Sequence, residues 1–221
     1  MLATPVLAAG AAGAQAQTRS GPVPVDQDPS HRIVLSAPTF RILEVEVLPG
    51  ARTLEHLHDR DLLTVNTGIG TTRTRTTGQD WGTPRVRRLG ETTVAEYTGR
   101  PAAHVVENID DVAYRLVGVE NLRPGGWTSH AAAIVPGQQI VLESRAFRAA
   151  DVRLPRDGET PVHTHPVPTL VVLVSGAATA GGGSPGVLRE TGAWRLIPAG
   201  EAHALEAAPG AEVYLVEVEI R

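Results

Sequence analysis

The chain repeats itself at a fixed offset, and that repeat limits what it can fold into. Ile33-Val34-Leu35, four residues, then Phe40-Arg41 returns as Ile140-Val141-Leu142, four residues, then Phe147-Arg148, an offset of 107. His56-Leu57-His58 returns as His163-Thr164-His165 at the same offset. A repeat this long holds a whole domain, so the pattern predicts a duplicated unit and not a stack of short motifs. The 221 residues suit two compact units of about a hundred residues each.

The repeated dyads carry chemistry. On a strand, residues i and i+2 face the same side, about 7 Å apart along the chain, so two imidazoles can converge on one ion. A third histidine follows in each half: His104, and His203 after the turn Pro198-Ala199-Gly200. Three neutral imidazoles from two strands make a metal site with open positions left over. Composition removes the competing chemistries. There is no cysteine, hence no thiolate nucleophile, disulfide or cysteine-ligated metal. There is no lysine, hence no Schiff base. A net charge of −4 without a basic block argues against nucleic acid. Six of the eight histidines sit in the two triplets; His31 and His130 lie outside them and read as plain surface residues.

The spacing of these residues resembles the two motifs of the cupin family. The first family motif is Gly, five residues, His-x-His, three or four residues, Glu, six residues, Gly. Gly50, five residues, His56 matches it in the first half; Gly158 with four residues before His163 nearly does in the second. The second family motif is Gly, five residues, Pro-x-Gly, two residues, His, three residues, Asn. Gly192, Pro198, Gly200 and His203 follow it, with Ala207 in place of Asn, and His104 to Asn108 keeps its ending in the first half. The family's glutamate ligand is absent from its usual place. Thr169 stands there in the second half, so that site is either a three-histidine site or a decayed one. In the first half Asp61, separated from Gly68 by six residues, is the candidate carboxylate, with Asp59 the alternative. The resemblance implies an all-β chain of two tandem cupin barrels (double-stranded β-helix, or jelly roll). The implied metal ligands are His56, His58, Asp61, His104, His163, His165 and His203. The implied cofactor is a divalent transition metal: Fe, Mn, Ni, Zn or Cu.

Residues 1–30 read as a signal-like segment and an extended lead-in. Ala14-Gln15-Ala16 closes an apolar run in a cleavage-like pattern, although no positive charge precedes Arg19. Export is expected if this is a signal, a cytoplasmic location if it is a plain tail; the run is too short to span a membrane. The first barrel is expected over 31–122, a linker over 123–137 and the second barrel over 138–221. Leu43, Val45 and Val47 alternate with Glu44 and Glu46, a half-buried strand. Thr71 to Thr77 alternates threonine with Arg73 and Arg75, which either face solvent or clamp an anion. Short strands between Gly, Pro and Asp turns point to barrels or sandwiches. Tyr97 and Trp194 read as packing residues.

The resemblance is closest to small exported bacterial two-barrel cupins and implies a reaction only loosely, because fold does not set function. The expectation is a metal-dependent oxygenase-type enzyme acting on a small oxygenated molecule. A metal-assisted isomerase or cyclase, and a non-catalytic metal or small-ligand binder, stay open, as do monomer and homodimer.

Overall fold

The computed structural model describes residues 21–123, 133–181 and 186–221. The signal-like run, His130, most of the predicted linker and the centre of the glycine-rich loop at 181–186 lie outside the described residues.

The first half contributes strands β1 (Val23–Pro24), β2 (His31–Ser36), β3 (Phe40–Val47), β4 (His56–His58), β5 (Asp61–Asn66), β6 (Gly70–Thr76), β7 (Arg85–Arg87), β8 (Thr92–Ala95), β9 (Ala102–Asn108) and β10 (Tyr114–Asn121). The second contributes β11 (Gln138–Glu143), β12 (Phe147–Leu154), β13 (Thr169–Ser175), β14 (Ala178–Gly181), β15 (Gly186–Leu188), β16 (Trp194–Ile197), β17 (Ala204–Ala207) and β18 (Val213–Ile220). Each half builds its own two sheets. The orders are β1-β4-β9-β6-β7 and β2-β3-β10-β5-β8 in the first, and β11-β12-β18-β13-β16 and β15-β14-β17 in the second. The chain is therefore two tandem cupin-type barrels. Among the described residues the helical content is one 3-10 turn, Val25–Gln27, and no helix is long and apolar enough to cross a membrane.

Strand parity explains how the barrels meet. β13 reads Thr-Leu-Val-Val-Leu-Val-Ser and is buried through its first six residues. Leu170, Val172 and Val174 face the other barrel, while Val171 and Leu173 face their own interior. A strand covered on both sides needs such an unbroken apolar run. The same split occurs in β5, where Leu63 and Val65 face outward and Leu62 inward. The largest apolar cluster thus lies between the barrels, joining Phe40, Ile42 and Val119 to Phe147, Leu170 and Val218. Trp194 Nε1 donates across it to Glu44 Oε1 at 3.1 Å, and Asn121 Nδ2 donates to the carbonyls of Ala146 and Arg221.

The interiors differ. The second barrel is packed by Val152, Val171, Leu173, Ile197, Leu205, Leu215 and further small apolar residues. The first is lined by a smaller set, Leu43, Val45, Val47, Leu62, Tyr114 and Leu116, and keeps a cavity of about 360 Å³. The lead-in belongs to the first barrel's sheet: β1 runs parallel to the dyad strand, Val23 opposite His56 and Pro24 opposite Leu57.

Candidate metal centres

In the second barrel the backbone brings His163 and His203 together. Each amide donates to the other's carbonyl at 2.9 Å, forming an isolated antiparallel bridge. Gly200, at φ +78°, turns the chain after Pro198, and its amide donates to His165 O at 2.8 Å. A side chain at that position would be strained. The three imidazoles lie with ring centroids 4.3, 5.1 and 5.2 Å apart. Their Nε2 atoms converge on one carboxylate oxygen, Glu217 Oε1, at 3.4 Å from His163, 3.6 Å from His165 and 3.2 Å from His203. The opposite ring nitrogens are engaged: His163 Nδ1 with Pro161 O at 2.9 Å, His165 Nδ1 with Glu219 Oε1 at 2.9 Å, and His203 Nδ1 with Glu201 O at 3.3 Å. This pattern turns each Nε2 toward Glu217, where a bound cation would take the place of any Nε2 proton, as outer hydrogen bonds orient metal-bound histidines. His165 Nε2 is buried without a hydrogen-bond partner. The set therefore fits a divalent metal held by three imidazoles and one carboxylate.

Burial opposes charge on Glu217, but the three histidines that face it hold its carboxyl well below the usual range. His165 is also penalised by burial, yet Glu217 and Glu219 push it up to about 9. Thr169, the residue at the expected glutamate position, is buried and its hydroxyl donates to Val167 O at 3.3 Å. The carboxylate comes from the last strand instead. Glu217 and Glu219 share a face with Val213 and Leu215, and that face is the barrel interior. An alternating Val-Glu strand ordinarily reads as a charged solvent face, which concealed both residues.

In the first barrel β4 and β9 pair His56 with His104. Ring centroids are 4.9 Å between His56 and His58, 4.5 Å between His56 and His104 and 5.1 Å between His58 and His104, close to the spacing in the second barrel. The three rings lie near one another, but the histidines of this barrel whose ligand atoms fall within 4.8 Å of one another are His31, His56 and His58, without His104. Asn108, which ends the second motif, is buried and donates to Val47 O at 2.9 Å and Val112 O at 2.7 Å, bracing the strand that carries His104.

Asp61 does not join the triplet. It shares the outward face of β5 with Leu63 and Val65, so it points at the neighbouring barrel. Its Oδ1 accepts the Thr98 amide at 2.8 Å and its Oδ2 pairs with Arg145 at 3.2 Å. Asp59 is exposed beside Arg60. Arg73 and Arg75 face away from the barrel interior and flank the Trp81 ring, at 4.7 and 5.2 Å.

His31, expected at the surface, is instead part of the cluster. Its side chain is 7% exposed, and its ring centroid is 4.4 Å from that of His56 and 6.1 Å from that of His58. Asp28, also unread in the sequence, lies behind it, with Oδ2 3.2 Å from His31 Nδ1 and 3.0 Å from His56 Nδ1. Burial alone would raise the Asp28 carboxyl; the His31 and His56 rings beside it and the Ser30 amide hold it far below the usual carboxylate range. Burial lowers His31 against the pull of Asp28. Burial and the neighbouring imidazoles drive His104 down to about 3. The His56 Nε2 atom is buried with no partner, a cost of about 1–3 kcal/mol that a bound cation would remove. Tyr97 stacks on His58 at 5.0 Å, and burial pushes its phenol up.

Comparison with solved structures agrees with this architecture. AerE from Microcystis aeruginosa superposes with a TM-score of 0.63 at 12% identity, over 88% of this chain and 98% of its own. A salicylate 1,2-dioxygenase from Pseudaminobacter salicylatoxidans gives 0.61 at 13%, over 85% and 76%. The same enzyme has been solved as adducts with gentisate, and that structure superposes equally well, at 0.61 and 13% identity over 83% and 69%. The oxalate decarboxylase of Lactobacillus farciminis gives 0.61 at 11%, over 84% and 78%. A cupin 2 conserved barrel protein from Leptotrichia buccalis is also similar, at 0.58 and 10% identity, over 86% and 88%. No protein-family model and no curated protein sequence matches the chain. At these identities the likeness establishes the cupin fold.

Proposed function

We propose that the protein is a metal-dependent, oxygenase-type enzyme acting on a small oxygenated molecule, with the reaction housed in the first barrel. The observation that carries this reading is the contrast between the two interiors. The first histidine cluster opens on a cavity of about 360 Å³, within the usual range for small-molecule sites, about 300–1,000 Å³. Beside the second cluster the free space is about 10 Å³, smaller than an organic substrate needs.

His56, His58 and His104 would hold the first metal, and His163, His165, His203 and Glu217 the second. When bound, such a metal supplies Lewis acidity and open positions for oxygen ligands. The chain supplies the rest. Leu43, Val45, Leu62 and Leu116 exclude water from the cavity. Thr64, Thr93 and the Tyr97 hydroxyl offer hydrogen bonds to substrate oxygens on the same wall as His58 and His104. Arg87, held by Thr72 at 2.8 Å, places positive charge at the lining and favours a carboxylate or enolate. The gentisate bound by the similar dioxygenase supports a hydroxylated aromatic acid as one candidate substrate. The second site acts as a structural clamp, its metal tying the dyad to the last strand. We also assign the protein to the outside of the cytoplasm, from the cleavage-like Ala14-Gln15-Ala16 pattern; mass measurement of the secreted product tests this.

Oxygen uptake after loading with Fe(II), measured with catecholic acids, flavonols and diketones, tests the main reading. Uptake with one of these, lost in His58→Ala and kept in His163→Ala, is the expected result. Turnover without oxygen uptake would establish the isomerase or cyclase alternative, and tight binding without turnover a carrier. The reverse pattern in the two variants would move the chemistry to the second barrel.

A further inference from the structure

We infer that the first barrel holds its metal through four imidazoles, with His31 from the lead-in taking the place that a carboxylate fills in the second barrel. This rests on the metal-binding reading above and extends its ligand set.

Strand register matches the two barrels residue by residue. β10 pairs Gly118 with Leu43 and Glu120 with Leu62. β18 pairs Glu217 with Ala150 and Glu219 with Thr169. Gly118 therefore occupies the position of Glu217. A Cβ at Gly118 would lie 2.7 Å from Leu43 Cδ1 and 3.3 Å from Leu62 Cδ1. The two leucines fill the space that Ala150 and Thr169 leave open for the Glu217 side chain. The first barrel thus has no room for a carboxylate at that point of its wall.

What it has instead is His31. Its counterpart, 107 residues on, is Gln138. Gln138 Nε2 lies 3.3 Å from His163 Nε2 and donates to Glu217 Oε2, so this strand-opening position borders the metal centre in both barrels. In the first barrel the position carries an imidazole. Ligand atoms of His31, His56 and His58 lie within 4.8 Å of one another; His104 stands outside that group, with its ring centroid 4.5 Å from that of His56 and 5.1 Å from that of His58. Asp28 Oδ2 lies 3.2 Å from Nδ1 of His31 and 3.0 Å from Nδ1 of His56, and His56 Nδ1 is hydrogen-bonded to Leu54 O at 2.9 Å, so both rings turn Nδ1 toward the lead-in side and Nε2 away from Asp28. Asp28 is set by the lead-in: its Oδ1 takes the Ser30 amide at 2.9 Å and its backbone carbonyl the His31 amide at 2.9 Å. An outer carboxylate that orients two rings at once is the support a histidine-rich metal site requires.

Ligand chemistry then separates the barrels. An all-imidazole set favours borderline ions such as Cu(II), Ni(II), Zn(II) or Fe(II), whereas the carboxylate-bearing second site also suits Mn(II).

The test is proton NMR of the full chain loaded with Co(II), in a His163→Ala, His165→Ala background that removes the second site. Each ligating imidazole shows one exchangeable, hyperfine-shifted Nδ1–H signal. Signals from His31, His56, His58 and His104 are expected, and His31→Gln, which copies Gln138, should remove one of them. Its Co(II) affinity should fall by about tenfold or more. Three signals, unchanged in His31→Gln, would overturn the fourth ligand and leave the metal reading intact. No shifted signal at all would overturn the metal reading of this barrel together with the inference. If the background variant does not fold, the unaltered chain decides the question, because His31 adds one signal to those of the two triplets.

Discussion

At Glu217 one side chain unites three imidazoles, and its neighbours explain why it is there. Ala150 and Thr169 are small enough to admit it, and Gln138 ties its second oxygen. Glu217→Gln keeps the shape and removes the charge. It should weaken metal binding at the second centre by about tenfold or more while leaving the first centre loaded. Elemental analysis of the variant beside His56→Ala separates the two sites. If Glu217→Gln holds as much metal as the unaltered chain after chelator challenge, the carboxylate is not a ligand. Asp61 teaches the converse. Its spacing to Gly68 suggested a ligand, yet one step in strand parity turned it toward Arg145 and the other barrel. A carboxylate at a familiar spacing counts only when the face it stands on looks inward.

At the scale of elements, the turns that end and begin strands carry the geometry of the sites. Gly176 follows β13 with φ +87°, and a Cβ there would lie 2.3 Å from the backbone oxygen of Glu212. Gly176→Ala meets both a left-handed backbone and an immovable carbonyl. We expect a loss of roughly 2–4 kcal/mol in urea unfolding with an unchanged denaturant slope. A loss under about 1 kcal/mol would show that the turn relaxes. The lead-in is the element whose role was hardest to read. Val23–Pro24 looks like an extended approach with three prolines around it, yet it pairs with the dyad strand and carries Asp28 to the ligands. Its pairing partner is more than thirty residues away, so no local pattern announces it.

At the scale of the molecule, the two barrels share one apolar layer. β5 and β10 meet β13 and β18 through valines, leucines and isoleucines that are fully covered. Separating the halves would uncover Leu170, Val172, Val174, Val216, Val218 and Ile220 together, a patch of the kind that drives association or aggregation. The intact chain should therefore unfold in one calorimetric transition, and residues 138–221 expressed alone should aggregate or self-associate. Two well-separated transitions, or a soluble monomeric half, would show that the layer contributes little.

Much of this was legible without coordinates. The 107-residue repeat, the two dyads and the glycine and proline spacing around His203 depend on local rules: strand period, turn conformation and ligand geometry. Those rules placed six histidines in two clusters and called for an all-β duplicated chain. Which face of a strand looks into a barrel is not a local property. It depends on what covers the other face, and that is settled only when distant strands pack. So the inward glutamates of β18, the outward Asp61, and the burial of His31 beside Asp28 emerged only with the tertiary structure. The same holds for the difference between an open first barrel and a filled second one, because it rests on side-chain volumes summed across many strands.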